Sequence, residues 1–90
     1  MAQKKKILNV VGPKIRKTRN ARGLTQEELA TQCQLFGLDI SRGTLSQIEA
    51  QIRCVVDSEL WALAQVLETR LENLFPPGMK KKRRQRGDPP

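Results

Sequence analysis

The sequence has no histidine and no tyrosine, and only two cysteines, one tryptophan and two phenylalanines in ninety residues. Without histidine, the commonest general base and the commonest metal ligand are missing. Cys33 and Cys54 are too far apart for a C-x-x-C pair, so a structural zinc site is not expected. Gly12, Gly23, Gly37 and Gly43 stand singly, and no glycine-rich phosphate loop is present. The acidic residues are spread over positions where solvation explains them. Neither an enzyme nor a protein with a metal or other cofactor is expected. Apolar runs of a few residues cannot span a bilayer. The opening, MAQKKKILNVVG, sets charge before an apolar stretch at residues 7–11. Asn9 interrupts that short stretch, so it does not read as a secretory leader. Thiols without such a leader suit a reducing cytoplasm.

What is present in excess is positive charge, +8 at neutral pH. Its distribution is uneven. Lys4, Lys5 and Lys6 lie at one end, and Lys80, Lys81, Lys82, Arg83, Arg84 and Arg86 at the other. Between them cations and anions balance, but by segregation. Lys14, Arg16, Lys17, Arg19 and Arg22 form a stretch free of acids, whereas Asp57, Glu59, Glu68 and Glu72 face Arg70 alone. A dipolar domain with basic ends suits a polyanionic partner at one pole. Three segments are expected: a basic arm over residues 1–10, a folded domain over 11–77, and a basic disordered tail over 78–90.

The folded part reads as helical throughout, with no strand alternation. Gly12-Pro13 starts a helix, with proline at its first position, and Gly23 closes it after Arg22. In LTQEEL, Thr25 is an N-cap and Glu28, three residues on, completes a capping box. Leu24 and Leu29 flank this box as a hydrophobic staple, so the second helix starts at Gln26. Leu29, Cys33 and Phe36 form its stripe, and Gly37 ends it. Ser41 caps a third helix whose apolar positions are Leu45 and Ile48, with Ile52 beyond. QIRCVV reads as a loop. Leu60, Leu63, Ala64 and Leu67 mark a fourth helix, and a short fifth is expected at about residues 71–74, before the prolines of FPPG. The predicted fold is all-α, a compact five-helix domain.

The third helix carries chemistry. Its inner side has the anchors Leu45 and Ile48, while its outer side opens with Arg42, Gly43, Thr44, Ser46 and Gln47. An α-helix fits the major groove and reads base edges with its N-terminal residues. Small side chains let its backbone approach. Arginine can pair bidentately with guanine and glutamine with adenine. The same composition also fits an ordinary solvated helix start.

GLTQEELA, ISRGTLSQIE and LWALAQVLETRLENLF, in this order, resemble the Cro/phage-repressor (XRE-like) helix-turn-helix family over roughly residues 11–75. The resemblance implies a lambda-repressor-like domain that binds double-stranded DNA. It places Arg42, Gly43, Ser46 and Gln47 at base-facing positions of a reading helix over 41–50. Gln26, Thr44, Gln51 and Arg53 fall at phosphate-contacting positions, with Lys17 and Arg22 from the first helix. Arg19 and Glu49 match a buried structural ion pair. The implied protein is a transcriptional repressor of bacterial or phage origin, acting at the nucleoid as a homodimer on a pseudo-palindromic operator. The partner surface would lie in the acidic C-terminal half. Trp61 is its candidate, since it stands about 100° off the Leu60/Leu63/Leu67 stripe. An autoregulating antitoxin that also grips a toxin, or a protein-interaction adaptor, are the alternatives. No small-molecule ligand is expected.

Three departures from the family pattern stand out. About three extra residues lie between Ala30 and Ser41, close to one helical turn, which keeps Phe36 in phase with Leu29 and Cys33. Gly43 replaces a longer side chain at a base-facing position. Glu68 occupies the place of a helix-ending glycine.

Overall fold

The computed structural model describes residues 6–78. Four α-helices follow one another: α1 (Gly12–Ala21), α2 (Gln26–Phe36), α3 (Arg42–Glu49) and α4 (Asp57–Val66). The fifth expected helix is instead a single 3-10 turn, Leu71–Leu74. Four residues before a double proline leave no room for a second turn, so the segment tightens to place Leu74 in the core. The basic tail expected at 78–90 lies almost wholly outside the described residues, as does the arm before Lys6.

Helix starts follow local chemistry. Thr25 Oγ1 accepts the Glu28 backbone N–H at 3.0 Å, and Glu28 Oε1 accepts that of Thr25 at 2.9 Å, a complete capping box. Ser41 Oγ accepts the Thr44 N–H at 3.1 Å and so opens α3. At the start of α4, Val56 offers no side-chain acceptor, but its N–H donates to Glu59 Oε1 at 3.1 Å.

Helix ends share one device. Each α-helix closes with paired backbone bonds around a left-handed residue: Gly23 for α1, Gly37 for α2, Gln51 for α3 and Glu68 for α4. At α4, for example, Glu68 N–H donates to the Gln65 carbonyl and Thr69 N–H to that of Ala64, at 3.1 and 3.0 Å. Glu68 thus adopts a φ of +56° at the place where a glycine would be at ease. Arg22 supports it by donating to the Leu67 carbonyl at 2.8 Å, with a looser ion pair to Glu68 itself.

α2 packs on α3 and α4, while α1 packs on α3 and the 3-10 turn. Val11, Ile15, Leu29, Cys33, Ile40, Leu45, Ile48, Leu63, Leu67 and Leu74 make one core. Burying each of the larger ones stabilises the fold by about 1.5–3 kcal/mol. Ile40 and Leu45 are both buried on either side of the Ser41 cap, at the positions of a hydrophobic staple. Burial pushes the Cys33 thiol up to about 11, and Cys54, the other free thiol, is exposed.

Two stripe residues leave the core. Phe36 is 46 % exposed and Ile52 54 %. The expected stripe ends at Cys33: Phe36 is the last residue of α2 and lies outside the core. Beyond it Ile40 enters the core and Leu38 packs against it, and Gln34 Nε2 pins the turn by donating to the Ile40 carbonyl at 2.8 Å. Phe36 meets Trp61 instead, with ring centroids 5.7 Å apart. Trp61 is itself 53 % exposed and so is not a core residue.

Candidate nucleic-acid interface

The proposed reading surface is the outer face of α3. Arg42, Gly43, Ser46 and Gln47 are all exposed, while Leu45 and Ile48 on the opposite side are buried, as is Glu49 at the far end of the helix. Eight residues suffice for this separation, because positions 42, 43, 46 and 47 fall on one side of a 3.6-residue period. Among the described residues a Cβ on Gly43 would find only Ser41 Oγ, at 3.8 Å, so none of them requires glycine there. Thr44 is half-buried, and its hydroxyl oxygen accepts from Ser41 Oγ at 3.1 Å.

The other end of α3 is bound tightly. Arg19 Nε donates to Glu49 Oε2 at 2.7 Å, and Arg19 Nη2 donates to Oε1 at 3.0 Å. Arg19 Nη1 also reaches the Leu24 carbonyl at 2.8 Å, so one guanidinium ties α1 to α3 and to the approach to α2. Hydrogen bonding to Glu49 holds the Arg19 guanidinium above its ordinary value, against the opposing effect of burial. Gln26, the first residue of α2, joins the same carboxylate through Nε2 at 3.0 Å.

A second clasp is formed by Asn9, which the sequence placed in the basic arm. Its Nδ2 donates to the carbonyls of Ile48 and Arg53 at 3.0 and 2.9 Å, and its Oδ1 accepts the Gly12 N–H at 2.8 Å. Gly12 is needed at this junction, because a Cβ there would collide with the Ile48 carbonyl oxygen. Gln51 closes the clasp: its Nε2 donates to the Asn9 carbonyl at 3.0 Å, and its own carbonyl accepts the Leu8 N–H at 3.0 Å.

The residues assigned to phosphate therefore fall into two groups. Lys17 is exposed on α1, and Gln26 and Thr44 sit half-buried at helix starts. Gln26 and Thr44 make one side-chain bond each, to Glu49 and Ser41, whereas Gln51, Arg53 and Arg22 bond across loops or between distant segments. Arg53 grips Glu59 with both nitrogens, at 3.1 and 3.2 Å, which braces the loop between α3 and α4. These bonds, first those from Arg53, hold the Glu59 carboxyl below its ordinary value. The clue to Asn9 was a polar residue interrupting an apolar run; nothing local pointed to the Gln26–Glu49 bond, which spans 23 positions.

Two short helices joined by a turn, with the second presenting a polar N-terminal face, define a DNA-binding helix-turn-helix module. The helix-turn-helix family model matches residues 15–74, and the chain belongs to this XRE-like family of DNA-binding transcription regulators. Among solved structures it is similar to the restriction-modification controller protein C.AhdI from Aeromonas hydrophila. That match has 34 % identity and a TM-score of 0.62, over 72 % of this chain and 87 % of that one. A hypothetical transcription factor NHTF from Neisseria matches at 29 % identity and a TM-score of 0.67, over 91 % and 90 %. The clp gene regulator ClgR from C. glutamicum shares the fold at 22 % identity and a TM-score of 0.66, over 79 % and 86 %. No curated protein matches the sequence. Among the described residues no helix is long and apolar enough to cross a membrane.

Proposed function

We propose that the protein is a repressor that binds a pseudo-palindromic operator in double-stranded DNA as a homodimer. The observation that carries this is the outer face of α3, exposed at Arg42, Gly43, Ser46 and Gln47 on a helix whose other end is fully bonded. Arg42 and Gln47 supply the bidentate groups for base edges, and Gly43 gives the backbone room to approach. Lys17, Gln26 and Thr44 hold phosphates on either side. Gln51, Arg53 and Arg22 set the shape of the loops around them, and contact phosphate only with what their protein bonds leave over. The similarity to a restriction-modification controller protein supports a regulatory role.

A module of this size covers few base pairs, so two copies are needed for one operator turn of about 34 Å. The exposed pair Phe36 and Trp61, with Leu35 beside it at 84 % exposure, is the apolar surface we assign to the second copy. Selection of bound duplexes from a random pool tests the whole reading. Two related half-sites with a fixed spacing are expected, and recovery of no preferred sequence would remove it. Light scattering tests the surface separately: Trp61→Ala should shift a dimer at tens of micromolar toward monomer.

A further inference from the structure

Glu49 has two kinds of partner, and together they link the two parts of a DNA-binding surface. Its carboxylate is 4 % exposed and takes three donors, two from Arg19 and one from Gln26 Nε2. Arg19 alone accounts for the charge. The Gln26 bond is additional, and it comes from the first residue of the helix whose N-terminus faces a phosphate in the reading above.

A carboxylate can only accept, so it selects one face of the amide: Nε2 must turn toward Glu49, and Oε1 must turn away. Among the described residues the second Nε2 hydrogen has no partner of its own. A phosphate also only accepts, so this hydrogen is the group it can use. Nearby, the Thr25 and Glu28 N–H groups each donate to the other's side-chain oxygen in the capping box, leaving the Gln26 and Glu27 N–H groups without intrahelical acceptors. The two carboxylates of that first turn, Glu27 and Glu28, oppose an anion there and weaken the pull of the helix dipole. A phosphate at this end thus depends on a donor aimed in advance more than on the general field.

We infer that Glu49 is a positioning residue for DNA: it fixes the Gln26 amide, before DNA arrives, in the orientation that meets a phosphate. The inference rests on the operator-binding reading. Because Glu49 is also the last residue of α3, the same carboxylate sets the phosphate donor of α2 relative to the base-reading helix. Backbone register and base register are coupled through one buried group.

A double-mutant cycle on the full chain tests this, with affinity for a selected duplex normalised to the folded fraction. Glu49→Gln should weaken binding about five- to ten-fold when Gln26 is present, the scale of one directed hydrogen bond. In the Gln26→Ala background the same change should cost less than about two-fold. Equal losses in both backgrounds, or none in either, would overturn the inference and leave operator binding intact. If the unmutated protein retards no duplex at low salt, both fall. Should Glu49→Gln unfold, nitrogen relaxation of the Gln26 side-chain amide in the unmutated protein decides. An order parameter near the rigid-backbone value of about 0.85 supports a held amide, and one below about 0.6 overturns it.

Discussion

At its C-terminal end α3 is gripped by Arg19 through Glu49, by Asn9 through the Ile48 carbonyl, and by α1 through the bare backbone of Gly12. At its N-terminal end the same helix has one cap, Ser41, and a row of exposed side chains. The helix that joins the two ends is only eight residues long. The bonded end fixes the direction in which the free end points, and the side chains of the free end are exposed.

The largest effect belongs to the buried ion pair. Glu49→Ala leaves the Arg19 guanidinium unpaired at a site where both residues are 8 % exposed. A loss of about 3–5 kcal/mol is expected in denaturant unfolding. Replacing both partners by apolar residues of similar size, Arg19→Met with Glu49→Leu, should recover much of that loss, because no buried charge is then stranded. If the double variant is as unstable as the single one, the junction depends on directed bonds rather than on charge balance.

Gly12→Ala follows. The added methyl group meets the backbone of α3 rather than a flexible side chain, so α1 must move off Ile48 and Glu49. Overpacking of this kind costs about 1–3 kcal/mol. Unchanged stability would show that the junction has slack.

Arg42→Ala and Gln47→Ala act at the free end. Exposed positions change stability by no more than about 0.5 kcal/mol, and unfolding curves should show this. Binding should fall by about 1–3 kcal/mol at particular base pairs only. A uniform loss across duplexes would mean that these side chains hold phosphates and that sequence is read elsewhere.

Much of this architecture could be read from the chain because its cues are local. The Thr25–Glu28 box, the Ser41 cap and the glycine ends at Gly23 and Gly37 each involve residues within one turn, and each stands where its chemistry requires. Phe36 shows the limit of periodicity, which tells which face a residue occupies but not how far along the helix the core extends. Glu68 and Gln51 show the limit of residue preference: the chain must turn there to return to the core, and paired backbone bonds outweigh the left-handed strain. The candidate site divides the same way. The exposed face of α3 follows from its own composition, whereas the partners of Gln51, Arg53 and Arg22 depend on which loops meet in space. Arg53 with Glu59 bridges a loop, and Arg22 with Leu67 joins segments 45 positions apart. No spacing rule reaches that far.

The smallest effect is also the one that separates folding from function at a single atom. Gly43 lies inside α3, where glycine destabilises a helix by about 0.5–1 kcal/mol relative to alanine. At Gly12 the fold supplies a reason for glycine; at Gly43 the described residues supply none, since a Cβ would make only an ordinary contact with Ser41 Oγ. Gly43→Ala should therefore raise stability by that amount, measured by thermal or denaturant unfolding. If the backbone at this position approaches the floor of the groove, the same methyl group should weaken operator binding while the protein becomes more stable. Opposite signs in the two measurements would assign the glycine to DNA. A more stable variant that binds as well as before would instead return Gly43 to an ordinary helix position, and Arg42, Ser46 and Gln47 would carry the readout without close backbone approach.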